Sequence, residues 1–153
     1  MRQIKRVMQD RQSCQNVVPF WQDCRDLQSV LGGAMSYRLI DFLNSDDAML
    51  FTILAKNLKE KYACVCKVRL SEFLYSTQQE GSKEFYDEFQ TVNLITVPFA
   101  IFDVTTGKLS ATVFFNKNGF DGKELLEAKG ILCIGISEFK DVLISDSLSC
   151  FMV

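Results

Sequence analysis

The stretch TVPFAIFDVTTGKLSATVFFN, from Thr96 to Asn116, most narrows what this chain can become. Two apolar runs rich in Val, Ile, Thr and Phe flank Thr105-Thr106-Gly107-Lys108, and that pattern predicts an antiparallel hairpin with strands over Ile95 to Asp103 and Leu109 to Phe115. Both runs are apolar almost throughout, so the hairpin is expected inside a sheet covered on both faces. Phe114 and Phe115 are adjacent in the second strand. Successive strand residues point to opposite faces, so each sheet face should receive one of the two rings.

The rest of the chain supplies the covering layers. Asn44 and Ser45 are good N-caps, Asp46 and Asp47 suit a first helical turn, and Leu50, Phe51, Leu54, Leu58 and Tyr62 form one apolar stripe, predicting a helix to about Lys61. YACVCKVRL then reads as a strand, with Lys67 and Arg69 outward, and SEFLY as a single turn. A polar segment from Ser76 to Asn93 has room for a helix over Lys83 to Phe89. After the hairpin come a loop (NKNGFDG), a short helix over Lys123 to Lys129 ended by Gly130, a buried strand (ILCIGI), and a last helix over Glu138 to Leu143 capped by Ser137.

Residues 1–43 have a different texture and read as a helical N-terminal arm. Asp23 to Leu31 suit a short helix broken at Gly32-Gly33, and Met35, Leu39 and Phe42 or Leu43 have helical spacing. The arm holds the only tryptophan, and Phe20 and Trp21 are candidate anchors for a protein partner, because buried aromatic side chains dominate many interfaces. The remainder, 44–153, is the α/β domain. At 153 residues and 48% hydrophobic content, the chain can bury one sizeable core.

Composition narrows the chemistry further. Seventeen basic residues stand against nineteen acidic ones, which leaves no overall positive field to gather phosphates. Histidine is absent, which removes Ser-His and Cys-His pairs, and no glycine-rich phosphate loop occurs in a strand-loop-helix context. The six cysteines, Cys14, Cys24, Cys64, Cys66, Cys133 and Cys150, include no C-x-x-C pair and are expected as reduced, packed thiols without zinc. No long apolar run suggests membrane insertion, and a soluble, cytoplasmic protein is expected.

Four segments in order, RLIDFLNSDDAMLFTILAKNL, CKVRLSEFL, VPFAIFDVTTGKLSATVFFN and GKELLEAKGILCIGI, resemble a bacterial domain of unknown function in the PD-(D/E)xK, or restriction-endonuclease-like, superfamily. The resemblance implies a core of order α-β-β-β-α-β with a central mixed sheet flanked by helices. It also implies a metal site, and here the chain departs from the family pattern. The first-strand aspartate falls on Pro98, the second-strand glutamate on Phe114, the following acidic position on Asn116, and the helix glutamate on or near Ala48, while Lys123 keeps the helix lysine. Proline and phenylalanine cannot ligate Mg²⁺, which needs anionic oxygen donors.

The resemblance therefore implies a degenerate site with no catalysis and no cofactor. It points to a non-catalytic protein-interaction or scaffold module, such as an accessory subunit of a bacterial plasmid-borne, mobile-element or secretion machine. The alternative is a nucleic-acid-binding pseudonuclease using Lys67, Arg69, Lys83, Lys117 and Lys123 on phosphates.

Overall fold

Four strands share one sheet in the order β1-β2-β3-β4, where β1 is Tyr62–Arg69, β2 Thr96–Asp103, β3 Leu109–Phe115 and β4 Leu132–Ile136. The computed structural model describes residues 37–153. The first three strands run antiparallel in sequence order, and β4 returns parallel to β3, pairing Ala111 with Leu132 through Phe115 with Ile136. A parallel return needs a crossover, and helix α3, Lys123–Glu127, lies within it.

Two apolar clusters fill the two sides of the sheet. On one side Phe99, Ile101, Ala111, Val113, Phe115, Ile134 and Ile136 meet Leu50 and Leu54 of α1, Ser45–Asn57, and Val142 and Leu148 from the C-terminal segment. On the other, Ala100 and Val97 meet Leu70 and Leu126, with Phe120, Val65 and Cys133 packed around them. Phe114 and Phe115 are 6% and 5% exposed. Phe114 stacks toward Phe120 at 5.9 Å between ring centres and Phe115 meets Phe139 edge-on at 5.8 Å, so each ring serves a different face as strand alternation requires.

Helix α1 starts where its sequence says it should. Asn44 Oδ1 accepts the Asp47 N–H at 2.8 Å, and its side-chain amide donates to Asp47 Oδ2 at 2.9 Å. It ends at Asn57 instead of continuing to Lys61, because Leu58 is extended and bridges Met152, while Lys59 N–H donates to the Phe151 carbonyl. The C-terminal tail thus takes over backbone partners that one more helical turn would have used, and Tyr62 belongs to β1 instead of the helical stripe.

The helix between β1 and β2 is longer than its polar composition predicts. Helix α2 runs Lys83–Leu94, capped by Ser82 Oγ accepting the Phe85 N–H at 3.1 Å. Near the end, Ser137 does not cap the last helix. The Asp141 carboxylate accepts the Ser137 and Glu138 N–H groups instead, each at 2.8 Å, and delays the helix to α4, Asp141–Ile144, followed by a further short turn of helix, α5, Asp146–Ser149. Over Tyr37–Leu43 the chain is not helical, with bends at Phe42 and Leu43, and Leu39 and Ile40 are exposed. Spacing alone does not hold a single turn together, since a helix nucleus is unfavourable without packing. The other helix expected in the arm, Asp23 to Leu31, lies outside the described residues.

One irregularity matters for the site. The β1–β2 ladder pairs Tyr62 to Cys66 with Asp103 to Phe99 and resumes at Val68 with Val97, leaving Lys67 and Pro98 out. Pro98 has no N–H to donate, and Lys67 takes a left-handed φ of 54°, so each strand carries one residue that the ladder passes over. Val97 is two residues from Phe99 and would share its face in a regular strand. It belongs instead to the opposite cluster, with Ala100.

Candidate functional site

A cavity of about 220 Å³ opens at this irregularity, lined by Asp47, Lys67, Thr96, Pro98, Phe99 and Phe115 among others. Of the positions expected to mark a former metal site, Pro98 alone is in its lining. Carrying the β2–β3 register past Phe99–Val113 would set Pro98 opposite Phe114, on one face. The skipped pair breaks that relation. Pro98 turns to the cavity beside Phe115, while Phe114 packs on the other side of the sheet against Phe120.

The remaining expected positions are dispersed. Ala48 is exposed on α1. Asn116 closes the β3–β4 end: its N–H donates to the Ile136 carbonyl at 2.8 Å and its side-chain amide to Ser137 Oγ at 2.9 Å. A Cβ at Gly135 would stand 2.0 Å from Asn116 Oδ1, so the bare glycine makes room for that contact. Lys123 is exposed on α3 and lies 3.8 Å from Glu127. The five do not converge.

The donor set in the cavity does not fit a divalent cation. Asp47 is its one carboxylate, already held by the Asn44 amide, and the Lys67 side chain shares the cavity with proline and phenylalanine. A hard cation asks for several anionic or carbonyl oxygens. Asp46, next in sequence, is tied to Lys117 at 2.6 Å. Among the described residues no three His, Cys, Asp or Glu side chains stand close enough to hold a metal ion.

The thiols are also quiet. Cys64, Cys66, Cys133 and Cys150 are free, and burial pushes the Cys64 thiol up to about 12, with the neighbouring Cys66 adding to the shift. Burial is likewise the leading cause of the upward shifts at Cys66 and Cys133. Thiols so shifted stay protonated at neutral pH and behave as small hydrophobes, since the thiolate is the reactive form.

A larger opening lies elsewhere, and sequence reasoning missed it. It holds about 460 Å³ between α2 and α3, with Leu74, Tyr75, Val92 and Leu125 as its apolar lining and Asp87 and Glu88 on the α2 wall. Helix α2 has twelve residues, including Phe85, Tyr86, Phe89, Val92 and Leu94, and none is buried. Tyr86 is 59% and Leu94 70% exposed. From groove-lining Tyr75 the aromatic surface continues through Phe85 to Tyr86, each pair edge-on with ring centres 5.5 Å apart. The signal in the sequence was Phe85, Tyr86, Phe89 and Val92 within the Ser76 to Asn93 segment, read as polar with room for a helix over Lys83 to Phe89.

The basic residues considered for phosphate contact are engaged locally. Lys83 pairs with Asp87 at 2.6 Å, Lys117 with Asp46 and Lys123 with Glu127. The Lys67 ammonium donates to the Phe42 carbonyl and lies over the Phe42 ring, and Arg69 donates to Thr96 Oγ1 at 3.3 Å. Phe20 and Trp21, the candidate partner anchors, lie outside the described residues. No helix among the described residues is long and apolar enough to cross a membrane. No protein-family model, curated protein or solved structure matches the chain.

Proposed function

We propose that this chain is a non-catalytic protein-interaction module, an accessory or scaffold subunit on a degenerate PD-(D/E)xK-like core. One observation carries the reading: α2 exposes an aromatic and aliphatic surface beside an open apolar groove, and none of its twelve residues is buried. Exposed apolar surface of this kind, continuous and rimmed by charge, marks interaction sites more often than scattered surface residues do. The strand order β1-β2-β3-β4, with an antiparallel meander and a parallel return through α3, supports the nuclease-like ancestry, as does a cavity holding Pro98 where a ligating acid is expected. Phosphate binding is the weaker reading because three of its five basic candidates already face a carboxylate.

The test uses the tagged full chain as bait in its native host, beside a Leu125→Asp variant. Leu125 is 43% exposed on the groove wall, so the change leaves the core intact. A partner held by the wild type and lost by a folded Leu125→Asp protein supports the module. Cleavage of DNA or RNA in Mg²⁺ or Mn²⁺ that disappears in Asp46→Ala or Asp47→Ala would overturn it.

A further inference from the structure

The walls of the α2–α3 groove differ in charge, and that difference narrows the partner. Between Leu70 and Ile95 there are five carboxylates, Glu72, Glu80, Glu84, Asp87 and Glu88, against one lysine, Lys83, a local balance of −4 where the whole chain carries −2. Lys83 is spent on Asp87. Across the groove, residues 123–129 carry two lysines and two glutamates, and of these four Lys129 alone lines the groove, so the negative charge is confined to the α2 wall. Glu88 is fixed in place: Ser76 Oγ and Gln78 Nε2 donate to its two oxygens, and these bonds hold its carboxyl below the ordinary range. The result is an apolar trough with anchored negative charge along one wall.

We infer that the groove receives a basic amphipathic helix from a protein partner, and this rests on the interaction reading above. One wall is helical, its α2 lining running from Asp87 to Val92, about a turn and a half, and it faces Leu74 to Thr77 and Leu125, so a docked helix finds one ridge of matching pitch. Apolar side chains at i, i+3 or i+4, and i+7 would enter between Leu74, Val92 and Leu125, as in other helix-in-groove contacts. Lysines or arginines flanking that stripe would meet Glu88 and compete with Lys83 for Asp87. An acidic helix would place like charges against the same wall and be rejected.

The probe is a labelled synthetic helix of about 16 residues, long enough to be partly helical alone, with leucines at i, i+3, i+4 and i+7 and lysines elsewhere. Its counterpart replaces every lysine with glutamate. Fluorescence anisotropy with the full chain is expected to show the lysine probe binding at least about tenfold more tightly. Leu125→Asp is expected to weaken that probe about tenfold although it adds negative charge, and Asp87→Asn with Glu88→Gln to weaken it about fivefold and flatten its salt dependence. Circular dichroism confirms that each variant is folded. Equal binding of both probes, or a lysine probe that binds Leu125→Asp as well or better, would overturn the inference by reducing it to general charge attraction. If the native partner is lost on Leu125→Asp but the lysine probe does not bind, the interaction reading stands and the basic-helix chemistry falls. If the native partner is retained, both fall.

Discussion

Placing an acid at Phe114 should be among the most damaging single changes available to this domain. The ring is 6% exposed and packed on Phe120, so removing it forfeits what a buried phenylalanine contributes, about 3–5 kcal/mol. The incoming carboxyl finds no positive partner among the apolar side chains of that face and adds about 1–3 kcal/mol for an unsatisfied buried polar group. Phe114→Glu should therefore cost about 5 kcal/mol, a large share of the roughly 5–15 kcal/mol that holds a domain together. Pro98→Asp is the contrast. Pro98 is half-buried, outside both ladders and beside Lys67 at a water-accessible cavity, so that change should cost less than about 1.5 kcal/mol, mostly through relief of the chain restriction proline imposes on the unfolded state.

Urea unfolding of the three proteins reads this directly, with the slope checked for two-state behaviour. A pH series adds a second readout. Burial raises the folded-state pKa of a glutamate at 114 above its unfolded value of about 4.3, so the variant is relatively most stable below that pH and loses ground as pH rises. Equal midpoints for wild type and Phe114→Glu, or equal losses for the two acid substitutions, would refute the assignment of Phe114 to the closed side of the sheet and Pro98 to the open one.

At Lys67, φ of 54° penalises any side chain, so Gly should be more stable than Ala there by about 1 kcal/mol, the reverse of the usual strand order; thermal melts of Lys67→Gly and Lys67→Ala isolate the backbone, since both lose the contacts to Phe42. Asp103 closes the hairpin turn, and its carboxyl is held down to about 2 from 3.8, first by the Thr105 hydroxyl and then by Lys61 and the Thr105 and Thr106 N–H groups. A depressed folded pKa gives stability present above about 4 and lost as pH falls toward 2, so wild type should lose stability across that window and Asp103→Asn should show a flatter profile. Phe20→Ala with Trp21→Ala is expected to leave the melting temperature nearly unchanged while weakening the native partner about tenfold; a large thermal loss with affinity intact would assign both rings to the core.

What could be read from the chain alone followed the strength of the local signal. The hairpin was legible because β-branched and aromatic residues fill both strands and Gly107, at φ 68°, sits where the turn needs it. The start of α1 was legible because Asn44 and Asp47 cap within one turn. Its end was not, since the partners of Leu58 and Lys59 arrive from Met152 and Phe151, nearly a hundred residues away. Helix α2 looked polar because seven of its twelve residues are charged or polar, although Phe85, Phe89 and Val92 keep the i, i+4, i+7 spacing of one helix face. The groove was invisible for a simpler reason: Leu74, Val92 and Leu125 come together only through the crossover that returns β4 to the sheet. For the positions that the resemblance aligns with metal ligands, regular pairing would set Pro98 opposite Phe114, and the skipped pair at Lys67 and Pro98 sets them on two faces.

That skipped pair also sets rules for insertions and deletions in this protein. Lys67 and Pro98 are matched extra residues, one on each strand, and the pairing sums that link Cys66 to Phe99 and Val68 to Val97 are the same on either side of them. Removing Lys67 alone, or Pro98 alone, shifts every pair on one side by a residue and throws Val97 or Val68 against the wrong neighbour. Removing both closes the ladder without a slip. Val97 would then directly precede Phe99 and by simple alternation point to the opposite face, which is where it already packs. The two positions should thus be gained and lost together, and a double deletion should keep the interior of the sheet in order while reshaping the cavity that both residues line.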